Sequence, residues 1–298
     1  MVFIKIIKTF SEQDTGDTYV AIAHINIYMN NMRKNLENVR KIVLFMGETS
    51  LELLVIPYFD PYGPILTEYG DLSKKVIKKY SLTIRSRYLS ELLILSRNHG
   101  INILLPGFIE KAGSREYLSA MLFRGDCDEV VKYRKIFLSE NELKLGLSRG
   151  SEPGFFNLGK LSFSLMLDSE LYYPELSRLL LLYTNFLIVG IPQNIPLKNY
   201  FSIVKTISEI NSSLVLIPGS RVYHTDKLYY SLPTIIVDEN GDIAYRYSED
   251  EQAVILIPVN RLNKKMKTNI KDIEIIYRLF KKYLKKRRLY GDRESISY

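Results

Sequence analysis

Between residues 19 and 27 the side chains alternate in the manner of a strand, and over 33–45 Leu36, Val39, Ile42, Val43 and Leu44 recur at mostly helical spacing. A short unbroken apolar run, 53–57, follows, as expected of a strand covered on both faces. The pair then repeats: the spacing predicts a helix over 86–98, stopped at Gly100, leading into a strand over 101–105. Residues 117–123 and 130–135 read as a hairpin across the turn-rich stretch 124–129. Strands are predicted over 155–158 and 161–167, then a helix opening on Pro174, where a missing N–H costs nothing. A strand over 186–190, a helix near 200–210 and a strand over 213–218 come next. Asn240-Gly241 marks a second hairpin, 234–238 with 243–247. A strand over 253–259 and a helix over 271–288 complete the pattern.

Helices, buried strands and hairpins are mixed along the whole chain, with no linker or composition break. That pattern predicts one α/β domain, a four-layer α-β-β-α sandwich in which two sheets are each covered by helices. Residues 1–18 read as an N-terminal extension with an edge strand, 19–260 as the main domain, and 261–298 as a basic helix and tail packing on the domain or on a partner subunit.

Composition narrows the function classes. The 298 residues are 46% hydrophobic and 25% charged, which excludes disordered, collagenous and coiled-coil chains. One cysteine, Cys127, excludes a disulfide framework and any multi-thiolate metal site. The net charge of +8 invites a nucleic-acid or anionic-membrane partner. Residues 261–298, however, hold 13 Lys/Arg and 4 Asp/Glu, leaving 28 basic and 29 acidic groups on the first 260. The body is therefore neutral and the basic character belongs to one amphipathic helix. Its apolar positions are Ile273, Ile276, Tyr277, Phe280, Tyr283 and Leu284, and its basic ones Lys271, Arg278, Lys281, Lys282, Lys285 and Lys286. Such a helix suits a packed element with a solvated face, the binding of nucleic acid or another anion, or contact with a membrane surface. No run approaches the about 20 apolar residues of a membrane span, and no leader pattern opens the chain, so a cytoplasmic location is expected. His24, His99 and His224 are scattered and the glycines are single, so neither a metal site nor a phosphate-cradling loop is expected, and no cofactor.

Several motifs in order resemble the carbon–nitrogen hydrolases of the nitrilase superfamily. Val20-Ala-Ile-Ala-His-Ile-Asn26 with Asn35 and Leu36 is similar to the family's opening strand and helix, and Leu53-Leu-Val-Ile-Pro57 with Gly63 to its second strand and loop. Tyr133-Arg-Lys-Ile-Phe-Leu138 resembles its lysine motif, and Gly159-Lys160 through Asp168 with Tyr173-Pro-Glu-Leu-Ser-Arg178 its nucleophile strand, elbow and helix. The resemblance spans about residues 20 to 290 and implies the sandwich fold, assembly as a homodimer or larger homo-oligomer, and a pocket for a small acid or amide.

The family's reaction uses a cysteine nucleophile, a glutamate base and a lysine that stabilises the oxyanion. Position by position, the resemblance puts Tyr58 where the glutamate stands, keeps the lysine as Lys135, and puts Asp168 where the cysteine stands, with Glu170 two residues on. Glu140 or Glu142 corresponds to a further glutamate of the family's pocket. A tyrosine, with a reference pKa near 10, is a poor base at neutral pH, and Cys127 lies in the turn before the lysine strand. The triad is degenerate, and Lys135 and Asp168 are expected to form an ion pair with the Tyr58 hydroxyl donating to the carboxylate. The expected function is that of a binding, regulatory or scaffold protein without ordinary amidase or nitrilase activity. The alternative is a divergent hydrolase with Asp168 as carboxylate nucleophile beside Lys135 and Asp60 as base, two residues beyond Tyr58 and on its side if the segment is extended.

Overall fold

In a computed structural model, which describes residues 4–10, 18–47, 49–65, 74–192, 198–263, 274–275 and 277–282, the chain opens with the strand β1 (Ile4–Lys8), followed by β2 (Tyr19–His24) and β3 (Asn26–Tyr28). Asn31 caps the helix α1 (Met32–Phe45) by accepting from the Lys34 N–H, and Val39, Ile42 and Val43 turn inward. The strand β4 (Leu51–Val55), the helices α2 (Lys74–Tyr80) and α3 (Arg87–His99), and the strands β5 (Ile103–Ala112), β6 (Arg115–Phe123) and β7 (Val130–Arg134) complete the first half. Gly100 ends α3 in the left-handed conformation, as its position after the periodic run implies.

The second half begins with the short helix α4 (Glu140–Lys144) and the antiparallel pair β8 (Phe155–Leu158) and β9 (Leu161–Leu167). A 3₁₀ turn (Asp168–Tyr172) leads into α5 (Pro174–Tyr183), then β10 (Phe186–Gly190), α6 (Lys198–Asn211) and β11 (Leu214–Ile217). The strands β12 (Ser220–His224), β13 (Lys227–Leu232), β14 (Thr234–Val237), β15 (Ile243–Tyr247) and β16 (Gln252–Pro258) and the helical turn α7 (Val259–Leu262) follow.

A seven-stranded sheet in the order β1-β16-β2-β4-β5-β6-β7 and a six-stranded sheet in the order β15-β14-β11-β10-β9-β8 form the two central layers. Their facing sides share one core, in which Ile22, Leu54, Leu104 and Leu122 of one sheet join Phe163, Phe186, Leu216 and Ile236 of the other. Helices α1 and α3 contribute Val39, Ile42, Leu89 and Leu92 to that cluster, while α5 and α6 cover the second sheet through Leu176, Leu180, Val204 and Ile207. The result is the α-β-β-α sandwich, and it explains why β4 and β10 read as continuous apolar runs rather than alternating ones: both faces are covered.

Two elements differ from the sequence pattern for local reasons. β5 runs to Ala112 instead of stopping near 105, because the strand continues through Pro106-Gly107 as an irregularity in the β5–β6 register between Leu105 and Phe108. The small sheet β13-β12-β3 went unpredicted because its hairpin turns on Thr225 and Asp226, both at positive φ (46° and 64°), without the glycine that usually marks such a turn.

The chain divides into two units, 1–266 and 267–298. In the second, residues 274–275 and 277–282 are helical, with Arg278 near Glu274 at 3.7 Å and the Lys281 ammonium over the Tyr277 ring. The remainder of the helix expected over 271–288, including Lys271, Ile273, Ile276 and everything from Tyr283 on, lies outside the described residues. Among the described residues no helix is long and apolar enough to cross a membrane.

Candidate functional site

Tyr58 lies just past the end of β4, Lys135 past β7 and Asp168 past β9, so all three are carried on C-terminal strand ends. After Pro57 the backbone turns sharply: Phe59 and Gly63 have positive φ, and the Phe59 N–H donates to the Gly107 carbonyl. The buried Asn35 amide on α1 fixes this turn, donating to the carbonyls of Asp60 (2.9 Å) and Tyr28 (3.0 Å) and accepting from the Tyr28 N–H at 2.7 Å. The Tyr58 ring fills the space between two bare backbones. A β-carbon added at Gly107 would come 2.3 Å from its Cε2, and one at Gly190 2.6 Å from its Cδ2, so both positions need glycine because the ring is there. Burial first, and then the carboxylates of Asp168 and Glu142, push the Tyr58 hydroxyl well above its ordinary range. A phenol held protonated in this way can donate a hydrogen bond but cannot serve as a base.

Asp168 opens the 3₁₀ turn at φ +51°, a left-handed conformation uncommon for a residue with a side chain. Glu170 holds it there. Its Oε2 accepts from the Leu167 N–H at 2.9 Å, and its Oε1 accepts from the Tyr133 hydroxyl (2.6 Å) and the N–H groups of Ile136 (2.8 Å) and Phe137 (3.3 Å). One buried carboxylate therefore ties the lysine strand end to the aspartate strand end. Burial raises its pKa, and the bonds from Tyr133, Leu167 and Ile136 oppose the rise.

Lys135 is fully buried, and its Nζ donates to both oxygens of Glu142, at 2.7 and 3.0 Å, and more weakly to Asp168 Oδ2 at 3.5 Å. Glu142 is placed by a reciprocal cap at the start of α4: its N–H donates to Ser139 Oγ, while the Ser139 N–H donates to its Oε2 at 2.7 Å. Asp168 Oδ1 accepts from the Tyr200 hydroxyl at 2.5 Å. The expected Lys135–Asp168 pair thus exists but is the longer of two. The nearer partner is Glu142, and a hydroxyl on Asp168 comes from Tyr200 of α6. Of the two glutamates left open by sequence, Glu142 faces the lysine and Glu140 is exposed beside Lys144. The Ser139-x-x-Glu142 spacing, a capping box, is the signal that could have decided between them.

Asp60 does not stand beside Tyr58. Because 58–62 is a turn and not an extended segment, its side chain reaches the opposite way, where Oδ2 accepts from the Tyr88 hydroxyl and Oδ1 has no hydrogen-bond partner among the described residues. Burial pushes its carboxyl up to about 7. His24, buried on β2 with Nδ1 3.0 Å from Thr234 Oγ1, is driven the other way, to about 4, by burial and the nearby Arg221. The two act oppositely on stability. Below about pH 6.5 the unfolded chain takes up His24's proton more readily than the fold does, so stability falls with pH down to about 4. The fold holds Asp60's proton more tightly than the unfolded chain does, so that contribution is present at low pH and lost as pH rises from about 4 to 7. Asp60→Asn is therefore expected to gain stability relative to the native protein across that window, by on the order of 3–4 kcal/mol, read from urea melts at pH 4 and 7.5.

Tyr58, Phe59, Glu142, Leu145, Asp168, Tyr172 and Tyr200 are among the walls of a cavity of about 280 Å³. Cys127 sits half-buried in the turn between β6 and β7 and is not among its lining. The described lining offers the carboxylates of Asp168 and Glu142 and the hydroxyls of its tyrosines and serines, with the Lys135 ammonium buried behind them, and no thiol.

By sequence, the chain matches no family model and no curated protein. By structure it is similar to nitrilase-superfamily amidases. The amidase from Nesterenkonia sp. superposes with a TM-score of 0.64 at 15% identity, covering 88% of this chain and 96% of that one. Saccharomyces cerevisiae Nit3, a member of branch 10 of the superfamily, superposes with a TM-score of 0.66 at 17% identity, covering 82% and 91%. A variant of the Nesterenkonia sp. AN1 enzyme in complex with butyramide gives 0.61 at 17% identity, covering 83% and 93%. The chain shares their fold over most of its length.

Proposed function

We propose that this chain is a nitrilase-superfamily homologue that has lost cysteine-dependent amide and nitrile hydrolysis and uses the cavity to bind a small molecule, in a regulatory or scaffold role. The observation that carries the reading is Asp168 at the end of β9, where the family's chemistry requires a thiolate. Three further features support it. Tyr58 is held protonated where a base is needed. The Lys135 N–H groups, which would stabilise an oxyanion, point at Glu142 and Asp168. The buried ring between Gly107 and Gly190 occupies volume rather than leaving a vacated base position open. Incubation of the purified protein with butyramide, butyronitrile and ω-amidated acids is expected to release no ammonia above the buffer rate. Release that disappears in Asp168→Ala would overturn the proposal.

One observation favours a second reading, in which Asp168 is itself the nucleophile. It sits at positive φ at a strand end and its side chain is 16% exposed toward the cavity. Attack by this carboxylate on an amide carbonyl, with the Lys135 ammonium beside it giving a proton to the departing nitrogen, would expel ammonia and leave a mixed anhydride, which hydroxylamine would trap as a hydroxamate on the protein or the substrate. An unchanged intact mass and no hydroxamate with each substrate class would remove this reading.

A further inference from the structure

The charge inside the cavity is unbalanced. Glu142 and Asp168 bring two carboxylates to its wall, the described lining contains no lysine, arginine or histidine, and the ammonium that pairs with them, Lys135, lies buried behind that wall. The lysine is largely spent on Glu142, which it grips through both oxygens and which also accepts from the Ser139 N–H. Asp168 is served more sparsely. It takes one short bond from Tyr200 and the 3.5 Å contact from Lys135, against the about four acceptor positions a carboxylate offers. The remaining acceptor capacity faces the cavity. Among the other lining residues are Tyr172 and Tyr200, and an aromatic ring attracts a cation.

We propose, resting on the reading of the site as a binding pocket, that its ligand is a small organic cation, a primary ammonium on a short apolar chain, with the ammonium donating to Asp168 and the chain lying against the tyrosines. An acid would meet Asp168 and Glu142 with no free cation among the described lining residues to receive it. A neutral amide would leave the excess negative charge unmatched. Burial first raises the Tyr58 and Tyr200 hydroxyls, and the nearby Asp168 carboxylate adds to the rise. A volume of about 280 Å³, just below the usual range of small-molecule sites, limits the ligand to a few carbons.

The test compares butylammonium, butyrate and butyramide at equal ionic strength by calorimetry and by shifts in the NMR spectrum of the native protein. Butylammonium is expected to bind, with at least tenfold weaker or undetectable binding of the other two, and Asp168→Asn is expected to weaken it about 10- to 100-fold, the loss of a charge-assisted bond. Tyr172→Ala, at an exposed wall position where folding is not at stake, is expected to weaken it several-fold. Failure of butylammonium to bind, equal or tighter binding of butyrate or butyramide, or indifference to both substitutions overturns the inference. Ammonia release in the hydrolysis assay would instead overturn the binding-protein reading, so the two failures are distinct.

Discussion

Lys135→Met is expected to lower the unfolding free energy by about 3–5 kcal/mol, a large part of the about 5–15 kcal/mol of a typical domain. Methionine matches the lysine stem in length and apolar character, so the packing is kept and the loss is electrostatic. Glu142 and Asp168, one buried and the other nearly so, would face each other with no cation between them. Urea denaturation at pH 7 measures the deficit. Glu142→Gln in the Lys135→Met background should recover part of it, because one of the two unpaired charges is then gone, whereas Glu142→Gln alone should destabilise by leaving the ammonium underserved. A Lys135→Met protein as stable as the native one would show that the pair is not the organising contact of the site.

Glu170→Ala is expected to cost on the order of 3–6 kcal/mol, because it strands four donors at once, the Tyr133 hydroxyl and the N–H groups of Leu167, Ile136 and Phe137, at about 1–3 kcal/mol for each well-made bond to a buried donor. Glu170→Gln keeps an acceptor and should lose much less. Amide exchange adds a local readout: the Ile136 and Leu167 amides should exchange faster in Glu170→Ala than its global loss of stability explains. The β7 and β9 strand ends would then separate, so butylammonium binding should weaken although neither Lys135 nor Asp168 has been altered. Unchanged exchange at both amides would mean that Glu170 does not hold these ends together.

The sandwich was legible because its signals are local. Apolar runs at β4 and β10, the glycine stop after α3, Pro174 opening α5 and Asn240-Gly241 between β14 and β15 each act within a few residues. The β12–β13 hairpin was missed because Thr225 and Asp226 adopt left-handed geometry without a glycine, and the length of β5 was missed because the strand continues past Leu105 through an irregularity in its register. Tyr58, Lys135 and Asp168 could be named through the family resemblance that the motifs carry. Their partners could not. Tyr200 reaches Asp168 from 32 positions away, Tyr133 reaches Glu170 across 37, and Asp60 meets Tyr88 across 28.

The sequence by itself determined most of the order of strands and helices, the neutral body with its basic C-terminal segment, and a single cysteine placed in the turn-rich stretch 124–129, since each is a property of composition or of neighbouring residues. Only the tertiary structure decided that Lys135 is held chiefly by Glu142, that Asp60 turns away from the cavity, that Glu170 binds two strand ends together, and that the described lining of the cavity carries two carboxylates and no basic side chain. Those outcomes depend on where separate strand ends stop relative to one another, and that is set by the packing of two sheets rather than by any local pattern.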